Sequence, residues 1–64
     1  MSFGENLKRF RKEREWTQYE LASRIGTQQT HISRLEKGEH YPDFIKLKRL
    51  CSVLECTATE LMGF

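Results

Sequence analysis

The chain has 64 residues, with 11 Lys and Arg against 9 Asp and Glu for a formal net charge of +2, and 38% of it is hydrophobic. A domain this small buries only about 60% of the surface its unfolded chain exposes, so the expected stability is roughly 3–10 kcal/mol and compact helical packing is the economical answer. It has neither an apolar run long enough for a bilayer nor β-branched residues at period two, and the early charges of Glu5 and Lys8 do not suit a signal peptide, so a cytoplasmic protein is expected.

In chain order, Ser2 with Glu5 three residues on makes a capping box, which predicts a first helix from Phe3 to Arg14 or Glu15. Phe3, Leu7 and Phe10 follow the i, i+4, i+7 spacing of one buried stripe. Lys8, Arg9, Arg11, Lys12 and Arg14 look like a nucleic-acid patch, but Glu5 stands four residues before Arg9, and Glu13 and Glu15 four after Arg9 and Arg11, which favours a solvated face for all but Arg11. Thr17 and Glu20 form a second capping box, and Trp16 and Leu21 are spaced as a hydrophobic staple, so a second helix starts at Gln18. Leu21, Ala22 and Ile25 give it an apolar stripe. Gly26 ends it, because only a residue without a Cβ takes a left-handed turn at little cost. Thr27 or Gln28 caps a third helix with Ile32 and Leu35 facing inward, and Gly38 closes it.

Pro42 keeps Tyr41 out of the helical region, and Asp43 caps a fourth helix, Phe44 to about Leu54. Its expected stripe is Phe44, Leu47, Leu50, Cys51 and Leu54, with Lys46, Lys48 and Arg49 outside it. Thr57 with Glu60 makes a third capping box, giving a short last helix from Ala58 to Met62 that ends at Gly63. Leu61, Met62 and Phe64 offer more apolar surface than one turn can bury. They are the candidates for an interface. Cys51 and Cys56 are too few for a disulfide framework and are expected reduced and packed, and His31 and His40 stand at no recognised metal-site spacing to them, so neither metal nor cofactor is expected.

The outer face of the third helix carries the functional signal. At about 100° per residue, Gln29, Thr30, Ser33, Arg34 and Lys37 lie opposite Ile32 and Leu35, with two cations and no carboxylate among them. Gln suits the bidentate edge of adenine and Arg that of guanine, both displayed in the major groove. A solvated polar face is the bland alternative; the glycine turn and the small Ala22, where two helices must approach, weigh against it.

The stretch Gln18-Tyr19-Glu20-Leu21-Ala22, then Gly26, then Ile32-Ser33-Arg34-Leu35-Glu36-Lys37-Gly38, then Pro42, resembles the helix-turn-helix domain of the phage Cro and cI repressor family, also called the XRE family. The likeness runs from about Leu7 to Leu61. It implies an all-α, five-helix, lambda-repressor-like domain in which the second helix of the motif, residues 17–38, lies in the major groove. Carried over residue by residue, Gln28, Gln29, Thr30 and Arg34 fall on base-contacting positions and Gln18 on a phosphate-contacting one. Arg11 and Glu36 fall where the family has a salt bridge tying the first helix to the recognition helix. Ser33 and Lys37 are further phosphate candidates. Tyr41 is open to a phosphate or to packing on the fourth helix, and His31 to a phosphate or to solvent. Glu39 and Asp43 are acidic where relatives carry neutral or basic residues.

The expected function is therefore sequence-specific binding of double-stranded DNA by a homodimer on a palindromic operator, as a Cro-like repressor or small autoregulated controller. The length leaves no room for a ligand-binding domain, so regulation is expected from concentration, operator overlap or partners. An activator that touches RNA polymerase through Glu13, Glu15 and Glu39 stays open, as does an antitoxin that masks a toxin with the same scaffold. No catalytic set, paired carboxylates or phosphate loop is present, so an enzyme is not expected.

Overall fold

A computed structural model describes residues 2–63, and among these five helices follow one another: α1 Phe3–Glu13, α2 Gln18–Ile25, α3 Gln29–Glu36, α4 Phe44–Leu54 and α5 Ala58–Met62. Their starts are set by local chemistry. Ser2, Thr17 and Thr57 each accept a hydrogen bond from the backbone N–H of the Glu three residues on, while that Glu accepts one from the cap's own N–H. Asp43 accepts from Lys46 N–H at 2.8 Å. Only α3 lacks a side-chain cap, because its N-cap residue is Gln28, whose long amide does not fold back.

The helix ends share one device. At Gly26 (φ 74°) and Gly38 (φ 80°) the chain turns left-handed, and the next residue's N–H bonds back across the turn, Thr27 to Ala22 O at 2.9 Å and Glu39 to Arg34 O at 3.0 Å. Glu15 (φ 57°) and Glu55 (φ 52°) do the same with a side chain present, closing α1 with Trp16 N–H to Arg11 O at 3.2 Å and α4 with Cys56 N–H to Cys51 O at 3.1 Å. The first helix thus stops at Glu13, short of the expected Arg14 or Glu15, because Glu15 itself makes the turn.

One core collects a stripe from every helix: Phe3 and Leu7 of α1, Leu21, Ala22 and Ile25 of α2, Ile32 and Leu35 of α3, Leu50 and Leu54 of α4, and Leu61 of α5. Helix α3 is held between α2 and α1, and α5 closes the far side against α1 and α4. The approach of α1 to α3 is close at Gly4, where an added Cβ would lie 2.8 Å from Leu35 O and nearer still to Glu36 O. Buried Asn6 spends its amide N–H on Leu61 O at 3.1 Å, tying α1 to the last turn of α5. Arg49 donates to Ile25 O at 3.2 Å, satisfying a carbonyl at the end of α2.

Two expectations need correcting. Phe44 is not part of the buried stripe of α4; at 73% exposure it stands outside, because the helix turns Leu50 and Leu54 to the core. Leu61, expected at an interface, is fully buried in the monomer and has no area left for a partner. Met62 is half-buried against the core, and Phe64 lies outside the described residues. Cys51 and Cys56 are free and half-buried; burial, with the Cys51 thiol next to it, pushes the Cys56 thiol up to about 11, so it stays protonated and inert at neutral pH. No described helix is long and apolar enough to cross a membrane.

Candidate nucleic-acid interface

The turn at Gly26 sets α3 across α2 with Leu21, Ala22 and Ile25 packed on Ile32 and Leu35. Ala22, 1% exposed, allows the approach: its single methyl keeps the two backbones near each other. With Ile32 and Leu35 turned in, Gln28, Gln29, Thr30, Arg34 and Lys37 are exposed on the opposite side, and Ser33 is half-buried at its edge. Among the described residues no carboxylate pairs with Arg34 or Lys37. Two donors with fixed positive charge are thus left free on a helix whose rim is otherwise uncharged.

Behind this rim stands a buried ion pair. Arg11 Nε donates to Glu36 Oε2 at 2.6 Å and Nη2 to Oε1 at 3.2 Å, a fork geometry, with side chains 9% and 4% exposed. Arg11 Nη1 also donates to Trp16 O at 2.8 Å. The guanidinium therefore joins the end of α1, the loop before α2 and the end of α3 at one point. Its partners are satisfied, which is the condition under which a buried pair holds a geometry instead of costing stability.

From Glu36 a chain of amides runs to the surface. Gln18 Nε2 donates to Glu36 Oε1 at 3.0 Å, and Gln29 Nε2 donates to Gln18 Oε1 at 2.9 Å. The orientations follow from charge. A carboxylate accepts only, so Gln18 must turn its nitrogen to Glu36 and its oxygen to Gln29, and Gln29 must answer with its own nitrogen. Among the described residues nothing else meets the Gln29 carbonyl oxygen and second N–H, the acceptor and donor that a bidentate contact needs. Gln18, a phosphate candidate on sequence, has its side chain committed to this relay, and its free backbone group is the N–H at the first position of α2.

Other residues take plainer places. Tyr41 is 70% exposed, its ring 5.9 Å from that of Phe3. Arg24 lies over the Trp16 ring at 4.1 Å, so that cation is spent on packing. Arg9 pairs with Glu13 at 3.4 Å on the exposed face of α1. The buttress residues Gly4, Asn6 and Arg49 carried no sequence signal, since each acts on a partner far along the chain.

A family model described as helix-turn-helix matches residues 7–61. The chain belongs to the Cro/C1-type (XRE) helix-turn-helix family of DNA-binding transcriptional regulators. It is 37% identical over 59 residues to an uncharacterized HTH-type transcriptional regulator, y4dJ, of Sinorhizobium fredii, covering 92% of this chain and 77% of that one. It is 34% identical over 63 residues to the HTH-type transcriptional activator BcrR of Enterococcus faecalis, where it covers 98% of this chain but only 31% of the relative. In fold it resembles the P22 c2 repressor crystallised with a synthetic operator, with a TM-score of 0.94 and 27% identity over 97% of this chain and 94% of that one.

Proposed function

We propose that residues 1–64 act as one unit that reads a specific double-stranded DNA sequence, as a Cro-like repressor or autoregulated controller. Gln28, Gln29, Thr30 and Arg34 contact base edges in the major groove; Ser33, Lys37, Tyr41 and the backbone N–H of Gln18 hold phosphates. The observation that carries this is the state of α3: Gln29 and Arg34 are exposed, paired with no carboxylate among the described residues, and Gln29 is held by a relay anchored on the buried Glu36 side chain. Selection of bound sequences from a random duplex pool tests it. The parent is expected to return a defined motif, and Arg34→Ala to lose about 1–3 kcal/mol of discrimination at one position while keeping its fold. A variant with the parent's preference would remove Arg34 from base reading.

A single recognition helix reads few base pairs, and a genome offers many competitors. A two-fold dimer, with recognition helices about 34 Å apart on a palindromic operator, answers that. The surface that supports it is the outer side of α4, where exposed Phe44 borders an open groove lined with Leu47, Cys51 and Ala58. Met62 is the other candidate. Sedimentation of the parent against Phe44→Asp and Met62→Asp is the check: the variant that remains associated clears its residue of the interface. The relative named an activator favours a second reading, in which the sign is positive and Glu13, Glu15 and Glu39 face RNA polymerase. A promoter reporter with the operator moved upstream separates the two.

A further inference from the structure

Beside the start of α3 lies an open polar cleft of about 510 Å³ whose walls come from four segments: Gly26, Thr27 and Gln28 from the turn, His31 from α3, Tyr41 and Asp43 from the loop before α4, and Lys46 from α4 itself. We infer that this cleft seats one backbone phosphate of bound DNA, and that His31 takes up a proton when it does, so that affinity for DNA rises as pH falls. The inference rests on the family's DNA binding and on α3 being the helix that enters the groove.

Gln28 forms one wall, and a residue near base edges is flanked by the sugar-phosphate backbone, whose contacts set register without reading sequence. Charge then decides what the cleft holds. Lys46 brings one positive charge and Asp43 one negative, so with His31 neutral the two cancel. The Asp43 carboxylate is also turned to the start of α4, where it caps Lys46 N–H. Protonated His31 makes the balance positive. The proton is therefore the element that turns a neutral cleft into an anion seat.

The groups facing His31 explain why the free chain keeps it neutral. It is half-buried, with Lys46 across the cleft, His40 with its ring centroid 6.4 Å away, Arg34 on its own helix and Asp43 in opposition. Burial, then Lys46 and His40, hold its pKa below the ordinary 6.5, against the weaker pull of Asp43. A phosphodiester placed among these cations reverses the balance, since it offsets Lys46 and favours the charged imidazole. The direction of the linkage follows. The bound state has the higher pKa, so the extra affinity is fully present below the free-chain pKa and disappears as pH rises through the bound-state pKa.

Ring resonances of both histidines, titrated in the full chain with and without a mixed-sequence duplex at low salt, test this directly. Anisotropy of the same duplex between about pH 5.5 and about pH 8 supplies the affinity, because a phosphate contact needs no particular sequence. His31 is expected to rise by about one pKa unit on the duplex, and affinity to fall about tenfold across the range. His31→Gln should be flat with pH, near the parent's alkaline value, while His40→Gln keeps most of the slope. Inorganic phosphate alone should leave His31 where it is. A His31 ring that titrates identically in both states, or a His31→Gln slope equal to the parent's, overturns the inference while DNA binding stands. Loss of binding at every pH overturns the DNA reading instead. Inorganic phosphate that raises His31 as far as the duplex does would make the cleft a general anion site and overturn its assignment to DNA. Should His31→Gln not fold, the parent's ring titration decides alone.

Discussion

The two faces of α3 are built on opposite principles. The inward face puts Ile32 and Leu35 at zero exposure and ends in Glu36, whose carboxylate is gripped by Arg11 and Gln18 at once. Among the described residues the outward face leaves Gln28, Thr30, Arg34 and Lys37 without a fixed partner, and fixes Gln29 by one hydrogen bond. One side is over-determined and the other is held in reserve. The difference shows how a chain of 64 residues presents rigid chemistry without a large core: a single buried charge pair orients the helix, and Gln29 on its surface inherits that order through Gln18.

The sharpest way to break the contrast is to remove the anchor. Arg11→Met leaves Glu36 buried without its cation, and is expected to cost about 3–5 kcal/mol, a large share of the stability of so small a domain. Urea denaturation measures it. Arg11→Met combined with Glu36→Met should recover much of the loss, since no orphaned charge remains. A double variant as weak as the single one would mean that the pair contributes mainly by shape. The outward face predicts the opposite pattern, with Arg34→Ala and Lys37→Ala changing DNA binding and leaving the urea midpoint almost unmoved.

A subtler cut falls on the link between the faces. Gln18→Ala severs the relay but leaves the bidentate Arg11–Glu36 pair in place. Its expected effect is loss of about 1 kcal/mol of base discrimination at the position read by Gln29, with the position read by Arg34 unchanged. Equal loss at both positions would show that Gln18 steadies the whole helix through its bond to Glu36 and not one side chain through its amide.

How much of this could be read in the amino-acid order depends on the reach of each interaction. The caps at Ser2, Thr17, Asp43 and Thr57, and the glycine turns at Gly26 and Gly38, act within a few residues and were legible as such. The polar rim of α3 follows from helical period alone. Arg11 with Glu36 was reachable only through family likeness, since its partners are 25 residues apart. Asn6 with Leu61, 55 residues apart, and Gly4 against the end of α3 had no signal at all. Phe44 misled because period places a residue on a side of its helix, and whether another helix covers that side is a tertiary matter.

The smallest expected effect concerns the helix ends, where the same contrast between determined and spare appears. Gly26 and Gly38 take the left-handed conformation without a Cβ, and Gly38 has open space around it. Glu15 and Glu55 take it with one, at a cost in steric crowding of about 1 kcal/mol or somewhat more. Glu55 closes α4 through its own N–H to Ser52 O and that of Cys56 to Cys51 O, bonds of the main chain that survive any side-chain change. Glu55→Gly should therefore stabilise the domain by about 0.5–1 kcal/mol, the relief of strain less the extra entropy a glycine brings to the unfolded chain. A lower urea midpoint in that variant would mean that the Glu55 side chain contributes more to the folded state than its backbone costs.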